Sequence, residues 1–223
     1  MTASNDWTLW QLIDSAFPTG GFAHSNGLEA AWQQGAFTDE RSLTLFLRAS
    51  LHQAASGGLP FVRAAWGNPT NFLQFDTLCE ATLINHVANR ASRAQGRALL
   101  RAAGATFGDP VLLEHERAGR NSKAPLHFAP TFGIVAAALK IDLPTTETAF
   151  LFVLLRGSIA AAVRLGIIGP MEAQRLQHDL SKESPAAVES LHGVPPEEAC
   201  QTSPVLDLLH ANQERLYSRL FQS

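Results

Sequence analysis

Eight histidines are the residues of this sequence best suited to bind a metal ion. Metal ligands that come from one short segment usually have a fixed spacing, such as HxxxH on a helix, and no two of these histidines have it. In the best local group, Glu114, His115 and Glu116, neighbouring side chains on a helix point about 100° apart and cannot face one ion. The sequence therefore predicts no tight metal site and leaves transient metal contact open. The histidines are His24, His52, His86, His115, His127, His178, His192 and His210.

The adjacent glycines Gly20 and Gly21 interrupt the chain before a stretch that favours a helix, as a phosphate-binding turn would. However, the P-loop pattern GxxxxGK[ST] is absent from the sequence, and none of its three lysines follows a glycine turn. The spacing GxGxxG of dinucleotide-binding turns is also missing. We interpret Pro18, Gly20 and Gly21 as a structural turn, with Ser25 capping the helix that follows.

His24 and Ser25 raise the possibility of nucleophilic catalysis. The GxSxG pattern of serine hydrolases is absent, and adjacency in sequence does not by itself bring a serine hydroxyl to an imidazole. We therefore predict no catalytic residue. A small helical hydrolase that uses these two side chains is kept as an alternative.

The composition is that of an ordinary globular protein. The chain has 223 residues, of which 46% are hydrophobic and 17% charged, enough apolar residues to build a core. A net charge of −3 gives no reason to expect binding to nucleic acid or to an anionic membrane. Cys79 and Cys200 are widely separated, as expected in a reducing compartment.

We expect a cytoplasmic protein that does not enter a membrane. The first residues, MTASNDWTLWQL, lack the basic start and the apolar stretch of a secretory signal. The most apolar segment, residues 149–155, is interrupted by Arg156 before it reaches the length of a membrane span.

Hydrophobic periodicity predicts an all-α fold. Apolar residues recur on one helical face, for example at Leu43, Leu47 and Leu51, and no alternation long enough for a strand occurs. We predict a single bundle-like domain over residues 1–203 with about eight to ten helices, followed by a helical tail over residues 204–223.

Two of the predicted helices, at about 130–141 and 147–165, each contain a glycine with an alanine four residues later. Gly133 and Gly157 would thus create flat patches. We expect these two helices to pack against each other with their backbones in close contact.

Four arginines form a stripe on one predicted helix, because Arg90, Arg93, Arg97 and Arg101 are spaced by three, four and four residues. The stripe is either a solvated face paired with acidic neighbours or a surface for a partner. The sequence leaves both interpretations open.

The end of the chain is unusually apolar, since Tyr217, Leu220 and Phe221 lie within its last seven residues. Terminal residues are commonly polar and frayed. These side chains dock either on their own domain or on a partner, and the tyrosine together with Arg219 favours a partner.

The opening segment LWQLIDSAFPTGGFAHSNGLEAA and the closing segment LYSRLFQS resemble the UreF family of urease accessory proteins. Two further segments, HFAPTFGIVAAALKI and IAAAVRLGIIGPMEAQRL, resemble that family in the same order. The resemblance extends from about Thr8 to Ser223. The residues of this sequence that match the family's first conserved segment, which we call the opening block, are Pro18, Gly20, Gly21, Phe22, Ser25, Gly27, Leu28 and Glu29.

The resemblance implies an all-α, non-catalytic protein that forms a homodimer. Such a protein binds a second accessory protein, UreD or UreH, and recruits the nickel-carrying GTPase UreG, so that nickel is inserted into the urease apoprotein. The complex handles the nickel, and the chain itself binds no cofactor tightly. The family has also been proposed to adjust the GTPase cycle of UreG.

By position, the resemblance places partner binding at the tail and at the opening block. The expected partner-binding residues are Tyr217, Arg219, Leu220, Phe221, Phe22 and His24. A chain that itself carries nickel, through His115 or another histidine, is kept as an alternative.

Overall fold

A computed structural model describes residues 3–223, with side chains from residue 6 onward. Within that range the chain forms eleven α-helices, four 3-10 turns and no strand, so the predicted all-α class is confirmed. Residues 1 and 2 lie outside the described part. They begin the N-terminal segment that lacks the pattern of a secretory signal. The helices are α1 (Ala3–Ile13), α2 (Leu28–Gln33), α3 (Glu40–Gly67), α4 (Phe72–Thr82), α5 (His86–Phe107), α6 (Pro110–Ser122), α7 (Phe128–Ala138), α8 (Leu143–Arg164), α9 (Pro170–Ser181), α10 (Ser184–Glu189) and α11 (Pro204–Ala211). The 3-10 turns are Gly21–Ala23, Pro69–Asn71, Pro196–Glu198 and Asn212–Arg215.

Side-chain caps define the starts of the long helices. Asp39 and Ser42 form a reciprocal capping box at the start of α3, in which the Ser42 amide donates to Asp39 Oδ1 at 2.7 Å. Asp142 caps α8 by accepting the Thr145 amide at 2.9 Å. Because of this cap, α8 begins at Leu143, four residues before the predicted start.

Helix α7 lies at the centre of the fold, where every residue from Phe128 to Ala136 is buried. It packs along α3 and α5 and also contacts α4, α6 and α8. The rings of Phe128, Phe132 and Phe150 lie 5.6–5.9 Å apart between centroids and join α7 to α8. One core therefore organises the helices around α7.

The small-residue patches on α7 and α8 do not meet, so that expectation is wrong. A Cβ on Gly133 would lie 2.4 Å from Val62 O and 3.1 Å from Trp66 N, which places this glycine against the α3 backbone. A Cβ on Gly157 would meet no atom within 4 Å. The spacing of small residues correctly predicted a close helix contact for α7. It did not show which helix makes the contact, because α7 is apolar on all sides.

Helix α8 is long and apolar enough to span a membrane by length and composition, with a hydropathy of 1.5 over its most apolar window. Of that window, 56% is buried inside the fold, as in a core helix of a soluble protein. Its buried residues include Phe150, Leu151 and Ile159. The burial accounts for the apolar character of α8 through packing.

The two glycines make a matched pair for testing the α3–α7 contact. We expect Gly133→Ala to lower the free energy of unfolding by about 1–3 kcal/mol or more, because the added methyl group overpacks against the α3 backbone. Gly157→Ala should raise it by about 0.5–1 kcal/mol, since alanine is the better helix former and the space is open. Urea unfolding measures both, and equal effects of the two substitutions would contradict the assigned contact.

Candidate protein interaction site

The opening block makes two tight turns that bring it against α11. Gly20 has a φ of +74° and precedes the 3-10 turn Gly21–Ala23, just after Pro18. Gly27 has a φ of +82° and is the N-cap residue of α2. A Cβ on Gly27 would lie 2.8 Å from His210 Cβ, so α11 can sit here only because this residue is glycine.

Ser25 and His24 are buried and bind the end of the chain. The Glu29 amide donates to Ser25 Oγ at 3.3 Å, so Ser25 satisfies a free amide of α2 although Gly27 is the cap residue. The same hydroxyl donates to the main-chain oxygen of Ser223 at 2.9 Å. His24 Nδ1 hydrogen-bonds Ser223 Oγ at 2.7 Å, and burial lowers the pKa of this imidazole, which favours its neutral form.

The residue that holds the end of the chain most directly is Glu29, which is 2% exposed. One carboxylate oxygen accepts the amide of Leu220 at 2.7 Å. The other accepts the amide of Phe221 at 3.0 Å and the Gln213 side-chain amide at 2.7 Å. Three donors thus surround one buried carboxylate, and hydrogen bonds of this charge-assisted kind are stronger than neutral ones.

These bonds fold the last residues back onto the domain, and we call residues 212–223 the terminal segment. Phe221 is 3% exposed, with the Arg164 guanidinium 4.4 Å from its ring centroid. Arg164 also donates to Phe22 O, and the Gln222 amide donates to Ala23 O at 2.8 Å. The terminal segment is therefore attached to the opening block at Gln213 and through its last four residues, 220–223.

The same geometry leaves four of the expected partner-binding side chains exposed. Phe22 is 74% exposed, Tyr217 is fully exposed, and Leu220 and Arg219 also face solvent. Exposed aromatic, apolar and arginine side chains are typical of protein interaction sites. We call Phe22, Tyr217, Arg219 and Leu220 the terminal patch.

His24 and Phe221 differ from the other expected partner-binding residues because both are buried within the chain. Each binds or packs against the chain's own residues, so neither offers its side chain to a partner in this conformation. His24 and Phe221 instead hold the terminal segment in place and so position the exposed side chains of the terminal patch. The sequence could not separate buried from exposed residues here, since phenylalanine occurs in both groups, at Phe221 and at Phe22, and the two kinds lie within the same short segments.

The arginine stripe divides into two halves. Arg90 pairs with Glu214 of the terminal segment, and His86 hydrogen-bonds the same carboxylate at 2.9 Å. Arg93 lies 3.5 Å from Glu80. In the described part of the chain, Arg97 and Arg101 are exposed and form no ion pair. The stripe thus has acidic neighbours at one end and free guanidinium groups at the other.

A residue that sequence reasoning missed is Asp207, which fixes α11. Gln53 Nε2 donates to its carboxylate at 2.9 Å, and Asn85 Nδ2 donates to its main-chain oxygen at 2.7 Å. Burial raises the pKa of the Asp207 carboxyl group. A single aspartate in an apolar helix gives no sequence signal for partners that are more than 100 residues away.

The buried histidine His127 has a structural role. Its Nε2 lies 2.7 Å from Glu80 Oε2, and Asp76 accepts the amides of Leu126 and His127 at 2.8 and 2.6 Å. Burial lowers the pKa of His127 despite the nearby carboxylate. Among residues with described side chains, no group of three or more His, Cys, Asp and Glu is arranged to hold a metal ion.

Comparison with known proteins identifies related sequences. The family model for UreF matches residues 37–181. The chain is 42% identical over 221 residues to "Urease accessory protein F" of Arabidopsis thaliana, which covers 97% of this chain and 92% of that protein. It is 41% identical over 219 residues to the protein of the same name from Oryza sativa subsp. indica, with 96% and 84% covered. "Urease accessory protein UreF" of Arthrobacter sp. is 32% identical over 215 residues, with 96% of each chain covered.

Replacing Glu29 tests the attachment of the terminal segment. In Glu29→Gln an amide NH₂ group takes the place of one acceptor oxygen and faces a main-chain donor. We expect the amides of Leu220 and Phe221 to exchange hydrogen about 10–100-fold faster, which corresponds to the loss of a charge-assisted bond. Glu189→Gln, at an exposed glutamate, is the control. Unchanged exchange in Glu29→Gln would contradict the attachment.

His210 is partly exposed as a residue, but its ring nitrogen Nε2 is buried, which predicts a loss of stability in mild acid. Burial lowers its pKa from 6.5 to about 4, and the neighbouring His24 and His86 add to this effect. Between these values the unfolded chain binds a proton that the folded chain does not, so stability falls as the pH falls. Urea unfolding should show a loss of about 2 kcal/mol from this residue between about pH 7 and pH 5. In His210→Gln the pH dependence should be flatter by that amount, and an equal slope in both proteins would contradict the assignment.

Proposed function

The chain belongs to the UreF family of urease accessory proteins, and we propose that it serves urease maturation as a non-catalytic scaffold. In this proposal it binds the UreD or UreH accessory protein through the terminal patch. The complex then recruits the GTPase UreG, adjusts its GTPase cycle and delivers nickel to the urease apoprotein in the cytoplasm. The scaffold acts as a homodimer.

The observation that carries the proposal is the exposure of Tyr217 on a segment whose backbone is fixed. Tyr217 is fully exposed, yet the nearby amides of Leu220 and Phe221 are bound to a buried carboxylate. A partner that binds an already ordered surface loses less conformational entropy than one that must order it. Tyrosine and arginine side chains contribute most to binding energy at protein interfaces, which supports the terminal patch as a contact surface.

The described residues offer support for a scaffold that passes nickel on without holding it tightly. Cys79 is buried, and burial strongly raises the pKa of its thiol, so it is a poor metal ligand. His115 packs edge-on against the ring of Phe72, with 5.2 Å between centroids. In this proposal nickel is cargo of the assembled complex rather than a cofactor of the chain.

The hydrolase alternative gains no support from the geometry of His24 and Ser25. Ser25 Oγ donates to the Ser223 oxygen, and His24 bonds the Ser223 hydroxyl, so each side chain is already engaged with the terminal segment. A serine nucleophile needs its hydroxyl within reach of a base and open to a substrate. Both residues instead serve the attachment that presents the terminal patch.

Light scattering after size exclusion tests the scaffold with its UreD-type partner. We expect the full chain to form a complex with two copies of each protein, and a version ending at His210 to form none. Tyr217→Ala should weaken binding about 30-fold, as loss of an interface hot spot does, without changing the stability of the free chain. Met171→Ala, at another exposed apolar residue on α9, should bind normally.

The possible outcomes distinguish an error in the assigned contact surface from an error in the proposed function. If the chain ending at His210 still forms the complex, the terminal segment is not the contact and the patch assignment is wrong. If the full chain does not bind the partner at all, the scaffold function itself is contradicted.

A further inference from the structure

The segment that contains α5 and α6 is basic although the chain as a whole is acidic. Residues 86–123 contain seven lysines and arginines and three aspartates and glutamates, which gives a net charge of +4 with neutral histidines. The remaining residues contain ten lysines and arginines and seventeen aspartates and glutamates, a net charge of −7. The positive charge of this protein is therefore concentrated on one pair of helices.

The packing of α5 against α6 places arginines of both helices on one side. Only Gly108 and Asp109 separate the two helices, which pack against each other as an antiparallel hairpin. A Cβ on Gly104 of α5 would lie 3.3 Å from the Leu113 side chain of α6, so these two residues are level in the hairpin. Residues three, four and seven positions from such a contact lie on the same side of their helix. Two arginines precede Gly104 by seven and three positions, and two follow Leu113 by four and seven. They are Arg97, Arg101, Arg117 and Arg120, all exposed, and we call them the basic face.

Three of these four guanidinium groups have no partner among the described residues. Arg97, Arg101 and Arg117 form neither an ion pair nor a side-chain hydrogen bond there. Arg120 pairs with Glu116 of its own helix at 2.7 Å. Helix α5 contains no aspartate or glutamate that could neutralise its arginines. With Glu116 included, the basic face keeps a net charge of +3.

The stability of the fold does not account for the arginines of α5. Arg93, Arg97 and Arg101 follow one another at a spacing of four residues, at which like charges destabilise a helix. None of them lies in the last turn of α5, where the helix dipole would favour a positive charge. Charges that repel one another and find no partner inside the chain favour a role in binding another molecule.

We propose that the basic face binds an acidic surface of another protein, through the carboxylates of its aspartates and glutamates. An arginine side chain binds a carboxylate through a planar fork that can donate two parallel hydrogen bonds. The exposed neighbours of the α5 arginines include Ala94 and Ala105, whose small side chains leave room for a partner to approach. This contact is additional to the terminal patch.

The charge distribution and the composition of the hairpin favour a protein over other anionic partners. A domain that binds nucleic acid is typically basic as a whole, whereas this chain has a net charge of −3. Within residues 86–123 no exposed phenylalanine, tyrosine or tryptophan is available to stack on a base or to enter a bilayer. A second copy that met the basic face across a twofold axis would bring arginine against arginine.

Binding of a fluorescein-labelled peptide of ten glutamates to the full chain tests the proposal, with fluorescence anisotropy as the measurement. We expect saturable binding in about 50 mM NaCl that weakens strongly in about 300 mM NaCl, because salt screens contacts between exposed charges. A 20-base-pair DNA duplex and vesicles that contain phosphatidylserine are the competing anionic probes. No urease component is needed, so the result does not depend on the scaffold function.

Two matched double variants locate the site. Arg97→Gln with Arg101→Gln should weaken peptide binding about tenfold, since each substitution removes one charge-assisted contact. Arg41→Gln with Arg215→Gln removes two exposed arginines outside the hairpin and should leave the affinity within about twofold. In urea unfolding, the hairpin variant should be as stable as the original chain or slightly more stable, because the substitutions relieve repulsion.

Four outcomes would overturn the proposal. They are the absence of saturable peptide binding in about 50 mM NaCl, equal affinities in the two double variants, a marked loss of stability in the hairpin variant, and tighter binding of the DNA or the vesicles than of the peptide. The third outcome would assign these arginines to the fold, and the fourth would assign the basic face to a different class of partner.

Discussion

The complete burial of α7 is the constraint on which the rest of this fold depends. A helix with no exposed face from Phe128 to Ala136 must be surrounded, and its neighbours can close around it only where small residues allow contact, as at Gly133. The polar groups at its start also need partners inside the protein. Asp76 accepts the amides of Leu126 and His127 and so meets that need without solvent. Close packing against α3 and hydrogen bonds to Asp76 of α4 thus hold α7 in place.

The terminal segment is held by a different kind of force. Its main apolar anchor is Phe221, and most of its attachment comes from hydrogen bonds to Glu29, His24 and Ser25. Polar bonds to a buried carboxylate fix position and direction, because each donor must lie close to an acceptor oxygen. Holding the segment through its backbone keeps its side chains available, which suits a surface that binds another protein.

Much of the fold followed from the sequence, whereas the pairing of distant segments did not. Helical periodicity is a local property, so the all-α class was predictable, and caps such as Asp39 are local too. Only the family resemblance points to Glu29, because no nearby residue indicates that its carboxylate binds main-chain amides some 190 residues away. The adjacent glycines 20 and 21 are the conspicuous pair in the sequence, yet α11 approaches the backbone closely at Gly27. The sequence alone does not show whether a glycine is needed for a positive φ or for close contact with a neighbouring helix.

Helix α11 precedes the terminal segment, and polar contacts with α3 and α5 fix the positions of both. Asp207 of α11 accepts a hydrogen bond from the Gln53 side chain, and its main-chain oxygen accepts one from Asn85. The position of α11 is therefore set by these hydrogen bonds together with the close contact between His210 and Gly27. Glu214, just beyond α11, continues the same pattern by pairing with Arg90 of α5. The hydrogen bonds of Asp207 and the ion pair of Glu214 thus hold α11, and the terminal segment that follows it, against α3 and α5.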